Sequence, residues 1–469
     1  MKREREVAVP SGGHAAIEGT RAALLERFKQ QAGSAWRGEQ VLFGVDAAHG
    51  GGHKEVFFAQ APRAVEILGA ATEAIGGTVV AACLGGPLAA AVGVQRRDDR
   101  RLVIRRYGEG DPETVSISLD DFYGTAALLP LETLQSLFAD RRWAADVAGA
   151  FPVLARHKNM TRRTAGANIA CIASPEAGGV TLACATLAAL TAAYHLPIEP
   201  AETALLAQKI RHTIAGDACG VWGAMASTLC PQRSMIAIRA QPHEVAAEVT
   251  IPEGWRVAAI RRRGAGNGDP AAAAGSEEHH AIGAIVQTIL ARAIKDLGIR
   301  KGPGGGYLAN ASEEHFHRYF ERLLPESISG AAFLEQYGPL ADRLAHLEPQ
   351  QEYAPRAAAA RLYGQSARAR AFVESVSAAA RASGASARNG AMREAQALLA
   401  GNIAAEPPTA AIVGVPAPDD AQGKAELSSW AAELGKKSGG EATVLWEESA
   451  PGAAEVPAFR VPLAELQSR

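Results

Sequence analysis

The residues of this chain best placed to do chemistry are two glycines ahead of a helix. Ser174-Pro175-Glu176-Ala177-Gly178-Gly179 follows a short apolar run that opens at Ile172. Thr181 to Tyr194 then has the length and the alanine- and leucine-rich composition of a buried helix. A strand, a glycine turn and a helix together build an anion pocket. Small residues let the backbone approach a phosphate, and the unpaired N–H groups at the helix start point at it. Plain turn chemistry uses the same residues, so the turn alone leaves both readings open.

Other spacings promise less. His49 and His53 bracket three glycines at a metal-like interval, but no third ligand accompanies them, and a surface loop accounts for the pair. The cluster KGPGGG at 301–306 lacks the GxxxxGK[ST] order of a P-loop, and the residue five before Gly435 in the ELGKKS run is Trp430, not glycine. His315 and His317 lie two apart, on different faces of a helix. Cys83, Cys171, Cys184, Cys219 and Cys230 are odd in number and show no CxxC spacing. They read as free buried thiols of a reducing cytoplasm. No metal site is assigned.

The elements that must carry these residues follow from periodicity and composition. Residues 14 to 32 form a leading helix, with Leu24, Leu25 and Phe28 on one side. Strands follow around Gly76 to Gly108, and the RRDDRR cluster at Arg96 to Arg101 reads as a solvated hairpin tip. Helical stretches are expected over Pro130 to His157, His279 to Leu297, Ala357 to Ser383 and Ala391 to Leu399. Residues 264 to 278 read as a loop, and Glu406 to Asp420 as a Pro-rich connector.

The chain has 469 residues, 21% of them charged, and a net charge of -2, so no basic face for nucleic acid is announced. No apolar run reads as a membrane span, and the charged start MKREREVAVPSGG is not a secretory signal. A soluble cytoplasmic protein is expected. A protein partner stays open.

Several stretches, in order, resemble the GHMP kinases. Pro175, Gly179, Val180 and Ala185 fall on that superfamily's second motif, which usually reads Pro-x-Gly-x-Gly-Leu/Val-Ser-Ser-Ser-Ala-Ala-x-Glu. Ala59, Ala61, Pro62, Val65, Ile67, Leu68 and Gly69 fall on the first motif. Cys219-Gly220-Val221-Trp222-Gly223-Ala224-Met225 resembles the Cys-Gly-x-Met-Asp-Gln-Met of sugar-1-kinases, and Lys437, Gly439 and Gly440 resemble the third, glycine-rich motif. Gly305 to Leu308 and Leu324 to Glu326 are similar to stretches of L-arabinokinase-like proteins. The likeness is strongest to L-arabinokinase- and galactokinase-like sugar kinases and spans about Phe57 to Val444.

The resemblance implies an α+β fold of two domains with the ligand cleft between them: a helical extension at 1–38, an N-terminal domain at 39–265 and a C-terminal domain at 266–469. It implies a nucleotide site at Gly178, Gly179, Val180, Thr181, Gly439 and Gly440, with ATP and magnesium as the family's cofactors, and a sugar site at Glu66 and Glu73. It also exposes departures. The family's catalytic Asp falls at Gly223, its Arg at Ala64, its three serines at Thr181, Leu182 and Ala183, and its magnesium-binding Glu at Leu187. Phosphoryl transfer depends on positioning and on neutralising several negative charges, and leucine offers magnesium no oxygen. The expectation is therefore a degenerate sugar-kinase-like protein, a pseudokinase that binds sugar or nucleotide or acts as a regulator. The alternative is an active ATP-dependent sugar-1-kinase whose base and cation are displaced to Asp217 and Arg63.

Overall fold

The computed structural model describes residues 11–38, 41–108, 110–125, 127–157, 160–174, 178–262, 270–296, 312–340, 345–405, 412–438 and 441–468. Two mixed sheets organise them. From edge to edge the six-stranded sheet runs Phe459–Pro462, Glu55–Ala61, Ala90–Arg96, Ala167–Ile172, Arg101–Tyr107 and Glu113–Ser118. The seven-stranded sheet runs Ala442–Leu445, Trp255–Arg262, Ile412–Pro418, Arg63–Leu68, Thr78–Leu84, Ser234–Arg239 and Glu244–Thr250. Each sheet draws strands from early and late parts of the chain.

Alternation along the strands decides what each face covers, because successive side chains point to opposite sides. In Glu55–Ala61, Val56 and Phe58 pack against Leu24, Leu25, Phe28 and Trp36 of the N-terminal segment, with the Phe28 and Phe58 rings edge to face at 4.9 Å. Ala59 and Ala61 turn the other way, into a core shared with the helices Val180–Ala193, Pro200–Lys209 and Trp222–Leu229. Ala64, Ala81 and Cys83 of the seven-stranded sheet reach that same core, so these helices are held between the two sheets. The position explains the composition of Val180–Ala193. A helix that is apolar on all sides is one with neighbours on all sides, and alanine lets the neighbours come close.

The opposite face of the seven-stranded sheet is covered by Pro355–Arg381 and Ala385–Ala405, where Phe372, Val376, Met392 and Leu399 meet Val65, Ile67, Val80 and Ala82. A satellite core gathers Ile75 with Ile285, Val286 and Ile289 of the long helix Pro270–Asp296. In it Phe316 and Tyr363 stack at 4.2 Å.

Three expectations change. Arg96 to Arg101 is no hairpin tip, because Ala167–Ile172 lies between the two strands that flank it, antiparallel to the first and parallel to the second. Arg97 is only 4% exposed and is bidentate to Asp99, with Nη1 donating to Asn168 at 2.6 Å. Glu406 to Asp420 is not a plain connector, since Ile412–Pro418 is a fully buried strand inside the seven-stranded sheet. Its prolines are tolerated because pairing with Arg63–Leu68 is confined to Val413 opposite Glu66. The alanine run read as loop belongs to a helix that opens at Pro270, where a proline needs no N–H partner. The cluster at 301–306 lies outside the described residues.

Candidate functional site

A cavity of about 740 Å³ opens between the helices packed under the sheets and the long helix Pro270–Asp296. Its wall includes Glu66 from the strand Arg63–Leu68 and Glu73 from the segment after it, Gln208 and Cys219 to Gly223, Gln241 and His243, and His280, Gln287 and Thr288 of the long helix. A concave site with a few convergent polar groups is the usual form of a small-molecule pocket.

Glu73 is the pivot of this wall. Its Oε1 accepts the backbone N–H groups of Val221 and Trp222 at 2.5 and 2.9 Å, so the carboxylate caps the helix Trp222–Leu229. Its Oε2 takes no hydrogen bond from the described residues. Gly220 makes the arrangement feasible, because a Cβ there would stand 1.5 Å from Glu73 Oε2. Burial pushes the Glu73 carboxyl up to about 7, while the two N–H dipoles and the field of His280 pull the other way. Glu66 is 8% exposed, and its Oε1 accepts the Ala70 N–H at 2.8 Å. His243 sits on the rim with a φ of 68°, a conformation that side chains rarely adopt, and burial lowers its pKa.

The glycine turn borders the same cavity but is built differently. Gly179 adopts φ 68° and ψ -133° just before the helix Val180–Ala193, backbone that glycine reaches without strain. Its N–H donates to Asp146 Oδ2 at 3.0 Å, and Asp146 Oδ1 accepts from Arg211 at 2.6 Å. Asp146 is 1% exposed. Burial raises its carboxyl while Arg211 acts against that shift. Arg211 projects from a single π turn, Ile210–Ile214, and also pairs with Asp217, which Arg142 contacts at 2.5 Å. A side-chain carboxylate with its own guanidinium thus lies where the sequence places a phosphate.

The residues singled out from the sequence divide accordingly. Glu66, Glu73 and Val180 line the cavity, and Gly223 adjoins Val180, whose Cγ1 would be 3.4 Å from a Cβ at 223. Gly178 is half-buried beside Gly179, and Thr181 is fully buried with no partner for its Oγ1 among the described residues. Asp217 is held by two arginines and Arg63 lies in its strand; neither is on the cavity wall. Gly439 and Gly440 lie outside the described residues. Sequence reasoning passed over Asp146, Arg211, His243 and His280. Asp146 left one signal, a lone acid in the apolar run WAADVAGAF.

No family model matches the chain. L-arabinokinase from Arabidopsis thaliana is 26% identical over 272 residues, covering 52% of this chain and 26% of that relative, so the chain matches about a quarter of the relative's length. The crystal structure of Lactococcus lactis galactokinase complexed with galactose superposes with a TM-score of 0.58, covering 94% of this chain and 100% of that one at 14% identity. The chain has the two-domain α+β fold that this galactokinase shares with the GHMP kinases, and its sequence is similar to L-arabinokinase over about half of its length.

Proposed function

We propose that this protein binds a sugar or a closely related polyol in the cleft lined by Glu66 and Glu73, and that it does not transfer phosphoryl groups from magnesium-ATP. It serves as a ligand-binding or regulatory protein on a kinase-like scaffold. The observation that carries this reading is Asp146. With one oxygen on the Gly179 N–H and the other on Arg211, it puts a negative charge at the helix start that an ATP phosphate would have to displace. A second anion there meets like-charge repulsion in a site too buried for water to screen it.

The described residues at the turn do not fit a magnesium ion. Leu187 is fully buried and offers no oxygen, and both Asp146 oxygens are engaged. No step through the metal is derived. The likeness to a galactokinase solved with galactose supports the cleft as a sugar site, and the acceptor-rich wall supports a hydroxylated ligand.

The test is calorimetric titration with ATP, with and without magnesium, beside thermal-shift screening of neutral hexoses and pentoses. Sugar binding without ATP binding is the expected result. Magnesium-dependent ATP binding together with sugar phosphorylation would overturn it. One observation favours that second reading: Glu73 brings a carboxylate to the start of the very helix in which Gly223 stands for the lost Asp. A phosphorylating enzyme that loses turnover in Glu73→Gln would establish it.

A further inference from the structure

The charge on the cavity wall is one-sided. Glu66 and Glu73 are both on it, and its described residues include no lysine and no arginine. The other ionisable groups on the wall are Cys219, His243 and His280. The amides add acceptors more than donors. Gln208 Nε2 already donates to Cys219 O at 2.9 Å and Gln287 Nε2 to Ala74 O at 2.8 Å, so their carbonyl oxygens are what they chiefly keep for a ligand. Glu73 is fixed by Oε1 on two backbone N–H groups and retains Oε2.

A desolvated carboxylate oxygen wants a donor, and the unbonded Glu73 Oε2, on a wall whose described residues hold no lysine or arginine, can take a charged one from the ligand. Resting on the sugar-binding reading above, we infer that the cleft selects a hydroxylated ligand carrying a protonated amine, the amino-sugar class, with Glu73 Oε2 receiving the ammonium. The same wall repels phosphorylated and carboxylated sugars, whose charge has the sign of Glu66 and Glu73. The upward shift of the Glu73 carboxyl agrees with this, because burial outweighs the two N–H dipoles and the field of His280, and an ammonium on the ligand would add to the opposing side. An ammonium brings three donors to an acceptor-rich wall, which a hydroxyl does not.

The experiment is calorimetric titration of the full chain near neutral pH with four matched sugars in the galacto and gluco series: the 2-amino sugar, the parent hexose, the N-acetylated amino sugar and the uronate. The amino sugar is expected to bind roughly tenfold or more tighter than the parent hexose, as a charge-assisted contact replaces a neutral one. Acetylation keeps the hydroxyls, removes the charge and is expected to erase the gain. The uronate is expected not to bind. Glu73→Gln keeps an acceptor for the Val221 and Trp222 N–H groups but removes the charge, so it is expected to bring the amino sugar's affinity to within about twofold of the parent hexose's, the ratio of the two affinities being the readout rather than either alone. Equal affinity for amino sugar and hexose, or tight binding of the uronate, would overturn the inference and leave the sugar-binding reading standing. No binding by any of the four would sink the reading itself, and the inference with it.

Discussion

Two helix starts in this molecule each carry a carboxylate, and they differ in what the carboxylate leaves over. At Val180–Ala193 the acid is Asp146, 1% exposed, with one oxygen on a backbone N–H and the other on a guanidinium. At Trp222–Leu229 the acid is Glu73, half-buried on the cavity wall, with Oε1 on two N–H groups and Oε2 unbonded among the described residues. The first is a closed circuit and the second an open one. Both satisfy the donors that any helix start exposes. A closed circuit serves stability, whereas an open one keeps an acceptor for a ligand.

Breaking the closed circuit should have the largest effect. Asp146→Ala takes from the mostly buried Arg211 guanidinium one of its two carboxylates, leaving it Asp217, and leaves the Gly179 N–H without its acceptor. A loss of about 3 kcal/mol is expected by denaturant unfolding, the lower end of the range for breaking a buried pair, because Asp217 still meets the guanidinium. A loss below about 1 kcal/mol would show that the circuit is not closed in solution.

Breaking the open circuit should matter less to stability and more to binding. A Cβ in Gly220→Ala collides with the Glu73 carboxyl, which sits at the flexible end of its side chain and can move aside. The expected cost is the lost cap, about 0.5–2 kcal/mol, with cleft ligand binding abolished in the same titrations. Retained binding would place the ligand away from Glu73.

The smallest effect sharpens the contrast through pH. The Glu73 carboxyl is raised in the folded state to about 7, so between its ordinary range and about 7 the folded chain holds a proton that the unfolded chain has released. Stability therefore falls as pH rises through that window, by about 1 kcal/mol once water in the cleft is allowed for. The slope should flatten in Glu73→Gln. Asp146, also raised by burial, contributes a slope of the same sign that survives in that variant. An identical pH profile in wild type and Glu73→Gln would contradict the assignment.

The helices were the legible part of this chain. Thr181 to Tyr194 was expected and Val180–Ala193 is found, because an all-apolar run bounded by glycines and proline has few other solutions. Ala357 to Ser383 likewise appears as Pro355–Arg381. The strand Ile412–Pro418 was not legible, since its prolines read as linker. It is a strand only because Trp255–Arg262 supplies a partner along its whole length. The overlay on motif positions selected Glu66 and Glu73, and both stand on the cavity wall. It could not select Asp146, which no motif position names.

The sequence by itself determined the helix cores, the glycine turn, the order of segments that resembles a GHMP kinase and the absence of a carboxylate at Gly223 and Leu187. Those are properties of residue type and local spacing. Tertiary structure decided which acid meets which helix start. Gly179 finds its acceptor 33 residues away, and Trp222 finds Glu73 149 residues away. No local pattern encodes a pairing at that range. It arises because the two sheets fix the helices between them, and a buried N–H takes whichever acceptor the packing brings within about 3 Å.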